Sequence, residues 1–161
     1  SVPHAPVISL CEIWGCDMAN YPVPIMVMGG TKDNTLKWRD QYCDYRALGN
    51  CEKYVYELER GGHFTFSDIC ILDLLNVAPQ LGITNASSTL KDGCDPEINV
   101  SYIDAHETIN YYATAFLNYH LRDSAGSKAY LIQKTEKPFD SVNFYEGNTL
   151  PDWPEGGCGA E

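Results

Sequence analysis

Apolar residues form two short runs that predict neighbouring strands of one sheet. The first run, residues 25–28, is continuous, follows Pro22 and Pro24, and ends at two glycines, which is typical of a strand buried on both faces. The second run, residues 53–59, alternates β-forming residues with charged ones, so it is predicted to lie nearer an edge of the sheet. Between them, residues 35–48 are predicted to form a helix.

The rest of the chain predicts helices and loops. A helix is expected through residues 69–75. A longer amphipathic helix, with an i, i+3, i+4 apolar stripe, is predicted from an N-cap at Asp104 to about Leu121. Residues 79–103 are rich in Pro, Gly, Asn and Ser and are predicted to be a loop, as is the tail from Phe139.

The order strand, helix, strand, helix predicts the α/β class. Such an order implies right-handed crossovers and a mostly parallel sheet with flanking helices. Two parallel strands alone would leave both sheet edges bare and apolar surface uncovered. The apolar strand at residues 25–28 therefore needs neighbours that the chain does not obviously supply. We expect residues 1–161 to be one portion of a single domain whose other portion lies elsewhere.

The charge balance excludes several classes of partner. The 161 residues carry 11 Lys and Arg against 22 Asp and Glu, a formal net charge of -11. Such a surface repels phosphate backbones and anionic lipids, so nucleic acid is not an expected partner. No apolar run approaches the ~20 residues that a membrane-spanning helix needs, so no transmembrane segment is expected.

Seven cysteines and two glycosylation sequons predict a secreted, disulfide-bonded glycoprotein. The sequons begin at Asn85 and Asn99. No C-x-x-C pair occurs and no spacing of cysteine and histidine matches a zinc site, so disulfides are predicted and a metal is not. Local spacing predicts these pairs: Cys11 with Cys16, Cys43 with Cys51, and Cys70 with Cys94, which leaves Cys158 for a bond outside the chain.

An acid and an imidazole follow the two predicted strands. Asp33 comes directly after the first strand in Gly-Gly-Thr-Lys-Asp, and His63 follows the second in Gly-Gly-His. Because functional groups in open α/β sheets gather at the carboxyl ends of the strands, the two side chains are expected to meet there. Asp33 would then accept the Nδ1 proton of His63, which leaves Nε2 to act as a general base.

Other candidates for this chemistry are weaker. Asp68 is close enough to His63 to be a rival acid, but an acid five residues after a histidine is expected to start the next helix. Ser88 and Lys91 form an S-x-x-K pair without the companion motifs of the enzymes that use it. The remaining histidines are expected on surfaces or helix ends, and most aromatic residues in core packing rather than a binding surface.

Three segments resemble the α/β-hydrolase family. Residues 23–33 resemble its penultimate core strand and the acid that follows, and residues 57–68 resemble its last strand, turn and catalytic histidine. Gly-His-Phe-x-Phe-Ser-Asp is most similar to the dienelactone hydrolase and platelet-activating-factor acetylhydrolase-like branch, and residues 111–121 resemble the C-terminal helix of that group. The resemblance implies a serine hydrolase of carboxylic or lipid esters without a cofactor, in which Asp33 and His63 are the triad acid and base.

The chain departs from that family in one respect. No G-x-S-x-G elbow occurs in the 161 residues, so the nucleophilic serine and the oxyanion-hole amides are expected upstream. The expected partners are the N-terminal portion of the same hydrolase, as a missing segment or a disulfide-linked chain, and a small ester or lipid substrate. The alternative is a non-catalytic secreted protein that keeps a hydrolase-derived scaffold for binding or structure.

Overall fold

The computed structural model describes residues 17–49, 51–83, 86–132, 139–150 and 158. Within these ranges the chain is a mixed α/β structure around a three-stranded sheet, which confirms the predicted class. The strands are β1 (Ile25–Gly30), β2 (Lys53–Leu58) and β3 (Val142–Glu146), in the order β1-β2-β3. β1 and β2 are parallel, as predicted, and β3 runs antiparallel to β2.

β2 lies between β1 and β3 and is paired on both sides, whereas the sequence predicted only a position nearer an edge of the sheet. Its charged residues have polar partners inside the fold. Lys53 is only 4% exposed; its ammonium donates hydrogen bonds to the carbonyls of Tyr45 and Leu48, and burial lowers its pKa. Glu57 accepts a hydrogen bond from the Trp38 indole at 2.8 Å. The charged residues that alternate along β2 therefore have hydrogen-bond partners on neighbouring elements.

β3 occupies a sheet edge that the sequence did not reveal. The tail from Phe139 was expected to be a loop, but residues 142–146 pair with β2, with Phe144 opposite Tyr56. The strand has only five residues, and one of them, Val142, is buried. So short and exposed a segment gives little periodic signal, because its pairing with a distant strand is what stabilises it.

Helices occupy most of the remaining described residues. They are α1 (Trp38–Ala47), α2 (Leu74–Gln80), α3 (Ala86–Cys94), α4 (Tyr102–Arg122) and α5 (Ala125–Leu131), with 3₁₀ turns at Met18–Asn20, His63–Phe66 and Asp68–Leu72. The prediction of α1 and α4 is confirmed, but the cap of α4 is Ser101 rather than Asp104: the Ser101 hydroxyl accepts a hydrogen bond from the Ile103 amide. None of the described helices combines the length and hydropathy needed to span a bilayer.

The segment between the His63 turn and α4 was predicted least accurately. The helix expected at residues 69–75 is divided at Asp73, whose left-handed backbone separates a 3₁₀ turn from α2. Part of the expected loop at residues 79–103 is helical as α3, and α3 is itself broken where Asp92 and Gly93 leave helical geometry. A short, interrupted helix carries no sustained apolar period, so the sequence pattern does not distinguish it from loop.

Two apolar layers cover the faces of the sheet. One layer joins the sheet to α4 and α5, and its largest buried members are Tyr54, Tyr56, Tyr112 and Phe116. The other joins it to α1 and contains Val27, Trp38, Tyr42, Tyr45 and Val55. These aromatic residues pack in the core, as predicted. The apolar stripe of α4 is narrower than predicted, because Leu117 and Leu121 are 43% and 75% exposed.

Two disulfides lie within the described residues. Cys70 is bonded to Cys94, as predicted. Cys43 is bonded to Cys158 across a sequence separation of 115, so both the pairing of Cys43 with Cys51 and the assignment of Cys158 to an external partner are wrong. Cys51 is instead a free, half-buried thiol, whose pKa is raised by burial. Short spacing favoured the local pair, but tertiary contact decided the bond. Cys11 and Cys16 lie outside the described residues.

The buried tyrosines predict a loss of stability at alkaline pH. Tyr45, Tyr54 and Tyr56 are at most 1% exposed, and burial raises the pKa of each hydroxyl. Above their ordinary pKa the unfolded chain releases these protons while the folded chain retains them, so ionisation favours the unfolded state. The free energy of unfolding should therefore fall by about 2.5 kcal/mol between about pH 8 and about pH 10.5. Urea titrations at both values measure this, and an equal unfolding free energy would contradict it.

Candidate active site

Asp33 lies in a tight turn directly after β1. Its amide donates a hydrogen bond to the carbonyl of Gly30, and its carboxylate Oδ1 accepts the backbone amides of Thr35 at 3.0 Å and Leu36 at 2.7 Å. The side chain is completely buried. Two amide donors on one carboxylate oxygen fix the side-chain rotamer. The second oxygen, Oδ2, is thereby aimed away from its own loop.

His63 begins the 3₁₀ turn that follows β2. The turn is closed by Thr65, whose hydroxyl accepts the Gly62 amide at 2.9 Å. His63 Nδ1 lies 3.2 Å from Asp33 Oδ2. Because a carboxylate only accepts hydrogen bonds, Nδ1 carries the proton and donates it to Asp33. The side chain remains 26% exposed, and Nε2 makes no hydrogen bond to any described residue. Nε2 is thus the ring nitrogen that is free to exchange a proton with a bound group.

Close contact between the ends of β1 and β2 brings the two side chains together. The Lys32 amide donates to the carbonyl of Gly61 at 2.8 Å, and the Thr31 amide donates to that of Leu58 at 3.1 Å. A Cβ atom on Gly30 would lie 2.3 Å from the Gly61 carbonyl oxygen. Only a residue without a side chain fits there, so the paired glycines that the sequence analysis noted allow the two loops to touch.

The structure decides between the two candidate acids. Asp68 starts the next 3₁₀ turn, its side chain is 90% exposed, and its Oδ1 lies 3.7 Å from Nδ1 of a different histidine, His106. Asp33 therefore has the geometry of an acid that orients His63, and Asp68 does not. His106 is half-buried rather than a free surface residue.

The remaining candidates stay apart from this pair. Lys91 lies 3.9 Å from the carboxylate of Asp95 and forms a weak ion pair, which gives no support to an S-x-x-K site. His120 packs its ring 4.5 Å from Phe116, and burial lowers its pKa. Its Nε2 is buried and has no hydrogen-bond partner among the residues that the structure describes. His120 therefore belongs to the interior edge of α4 and not to the site.

One of the two predicted glycosylation sites, Asn99, lies within the described residues. Asn99 is 2% exposed; its amide nitrogen donates to the Arg60 carbonyl at 3.3 Å, and its amide oxygen accepts the Gly93 amide at 3.1 Å. A glycan would have to leave from a buried nitrogen that already has a partner, so the folded structure argues against modification of Asn99. Both polar residues of this sequon have structural roles: the Asn99 side chain bonds Arg60 and Gly93, and Ser101 caps α4. Asn85 lies outside the described residues.

A segment that sequence reasoning missed lies against both loops of the pair. Residues 92–99 follow the break in α3, and Arg60 anchors them by donating hydrogen bonds from its guanidinium to main-chain carbonyls of this segment. Within the segment, the carboxylate of Asp92 accepts the backbone amide of His63 at 3.1 Å. The available signal was Asp92-Gly93, a turn dipeptide directly before a cysteine, which marks a sharp bend but not its contacts.

The site as described supports acid–base chemistry and holds no metal cluster. No group of three or more His, Cys, Asp or Glu side chains in the described ranges is arranged to bind a metal ion. An imidazole whose Nδ1 is held by a buried carboxylate can take a proton on Nε2 and return it. Comparison with protein-family models, with curated proteins and with solved structures gives no match to this chain.

Proposed function

We propose that this chain supplies the acid and the histidine of a serine hydrolase that cleaves carboxylic or lipid esters. The observation that carries the proposal is the 3.2 Å contact between His63 Nδ1 and Asp33 Oδ2 at the ends of two parallel strands. A buried carboxylate that accepts two backbone amides and contacts a partly exposed imidazole is the arrangement that activates a hydroxyl nucleophile.

The reaction assigns one proton path to this pair. His63 Nε2 takes the proton of a serine hydroxyl as its oxygen attacks the ester carbonyl, and Asp33 stabilises the imidazolium that forms. Nε2 then returns the proton to the departing alcohol, which leaves an acyl-enzyme. Water attacks that ester by the same path in reverse and releases the acid. No step needs a cofactor.

The nucleophile in this proposal comes from outside the 161 residues, because they contain no G-x-S-x-G elbow. The topology of β1 is compatible with further strands. Within the described part of the chain it has one hydrogen-bonded neighbour, β2, so its other edge has no paired strand there. An unpaired strand edge is where another strand can add to a sheet. We assign the additional strands, the serine and the oxyanion hole to the N-terminal portion of the same hydrolase.

Secretion forms part of the proposal. The two internal disulfides fit an oxidising, extracytoplasmic compartment. With Cys43 and Cys158 bonded to each other, a covalent link to the other portion would have to use a cysteine other than these two. Cys51 is free but partly buried, so we expect the two portions to associate mainly by sheet pairing and apolar packing.

A fluorophosphonate probe tests the function directly. The complete native protein should gain one covalent adduct, which peptide mapping should place on a serine outside residues 1–161. Two controls are needed: the same material after heat denaturation, and His63→Ala, both of which should label far more slowly. Failure of folded, complete protein to react would contradict the hydrolase proposal and favour a binding protein on a hydrolase-derived scaffold.

A further inference from the structure

We propose that Asp92 is a positioning residue for the pair of Asp33 and His63, a role whose catalytic meaning rests on the proposed function. Nothing in the sequence distinguishes this carboxylate from its neighbours. In the fold it lies at the break of α3, between the loop that carries the acid and the turn that carries the histidine. It contacts both through hydrogen bonds.

The contacts of Asp92 join the two loops at their functional residues. Its Oδ1 accepts the backbone amide of His63 at 3.1 Å. Both of its oxygens accept the amide of Asn34, at 3.2 and 3.1 Å, and Oδ2 accepts the Thr35 hydroxyl at 2.8 Å. Asn34 and Thr35 directly follow Asp33, and Thr35 also donates its amide to the Asp33 carboxylate. One carboxylate therefore sets the spacing between the backbones on either side of the pair.

Asp92 is itself held in place by its neighbours. Gly93 has a φ of 130°, and a Cβ there would lie 2.4 Å from the Thr65 amide nitrogen, so the bend requires glycine. The carbonyl of Gly93 accepts the Thr65 hydroxyl at 3.1 Å, and its amide donates to Asn99 at 3.1 Å. The next residue, Cys94, is bonded to Cys70. These contacts fix the backbone directly after Asp92. The carboxylate can therefore act as a rigid link between the two loops.

The contacts of Asp92 help a partly exposed histidine, His63, to keep its orientation. The contact between His63 and Asp33 fixes one ring atom but not the position of the histidine backbone. The Asp92 carboxylate fixes that backbone relative to the loop of Asp33, with charge-assisted hydrogen bonds that are stronger than neutral ones. Without it, the turn at His63 and the loop at Asn34 are expected to move independently. A shift of about 1 Å in such a group can cost about 10²-fold in rate.

The test measures the pair itself by NMR in the full chain. The readout is the solvent-exchange rate of the His63 Nδ1 proton, which the hydrogen bond to Asp33 protects. Asp92→Ala should raise that rate about tenfold or more, since hydrogen bonds to a charged group are lost. Asp92→Asn should stay within about 1.5-fold of the native rate, because its amide oxygen still accepts the His63 and Asn34 amides and its nitrogen can donate to Thr35. An unchanged rate in a folded Asp92→Ala variant would overturn the proposal.

Two further variants separate positioning from folding. Glu97→Ala removes a carboxylate from the same segment whose side chain has no hydrogen bond or ion pair to described residues, and its rate should equal the native one. Thr35→Val deletes one donor to Asp92 and should raise the rate by about threefold, the effect of one weakened hydrogen bond. If Asp92→Ala does not fold, an unchanged rate in Thr35→Val overturns the proposal. None of these readouts needs a substrate, so the two proposals can fail separately. The exchange rates can support the role of Asp92 even if fluorophosphonate labelling fails, and labelling can succeed even if the exchange rates are unchanged.

Discussion

Replacing His63 with alanine should lower kcat for ester hydrolysis by the complete hydrolase about 10⁴- to 10⁶-fold, with little change in KM. Nε2 of this residue is the proposed base that takes the serine proton and the acid that returns it to the alcohol. Without it the serine attacks as a neutral hydroxyl, and only binding and the oxyanion hole remain to accelerate the reaction. Steady-state kinetics on a chromogenic ester measure the loss.

A matched control exists in His106. This histidine also lies beside a carboxylate, 3.7 Å from Asp68, and its side chain is 23% exposed against 26% for His63. His106→Ala should leave kcat within about twofold, since the contacts of this ring are with Asp68 and Tyr102 and not with Asp33 or His63. Asp33→Asn should cost about 10⁴-fold, because an asparagine favours the wrong histidine tautomer. Near-native turnover of either His63→Ala or Asp33→Asn would remove the pair from the mechanism.

Replacing Tyr56 with alanine should lower the free energy of unfolding by about 4 kcal/mol, the typical cost of removing a large aromatic residue from a core. Tyr56 is 1% exposed at the centre of β2. Its ring lies 4.0 Å from that of Tyr112 and 5.0 Å from that of Phe144, and its hydroxyl donates to the Leu131 carbonyl. The substitution therefore opens a cavity between the sheet and α4 and leaves a buried carbonyl without its partner.

Urea unfolding of two further variants defines this effect. Tyr56→Phe keeps the ring and loses only the hydroxyl, so it should cost about 1 kcal/mol. Tyr130→Ala removes a tyrosine that is 54% exposed and should cost less than about 1 kcal/mol. If Tyr56→Ala were no more destabilising than Tyr130→Ala, the assignment of β2 as the centre of the core would be wrong.

The contact between Asp33 and His63 in the candidate site could be predicted from sequence because its signals are local. Asp33 and His63 each follow a strand within a few residues, and paired glycines mark both strand ends. Parallel neighbouring strands then place the side chains at one edge, since the carboxyl ends of parallel strands meet there. The 3.2 Å contact is what this reasoning predicts.

The features that could not be predicted depend on distant parts of the chain. β3 forms because it pairs with β2, and Cys43 bonds Cys158 because the fold brings the two together. The hydrogen-bond partners of Lys53 and Glu57 lie on α1, so the charge pattern of β2 does not reveal them. Asp92 belongs to the same group: its partners His63 and Asn34 lie 29 and 58 residues away. Patterns of period and spacing carry no information about such contacts.

The position of the ring proton on His63 shows whether Asp33 orients this side chain. Nitrogen-detected NMR of the full chain at about pH 8, above the usual histidine pKa, reports which ring nitrogen holds the proton. The account predicts a proton on Nδ1, protected from solvent, and an unprotonated Nε2, with the proton moved to Nε2 in Asp33→Asn. A native ring protonated on Nε2, or a tautomer that does not respond to Asp33→Asn, would contradict it.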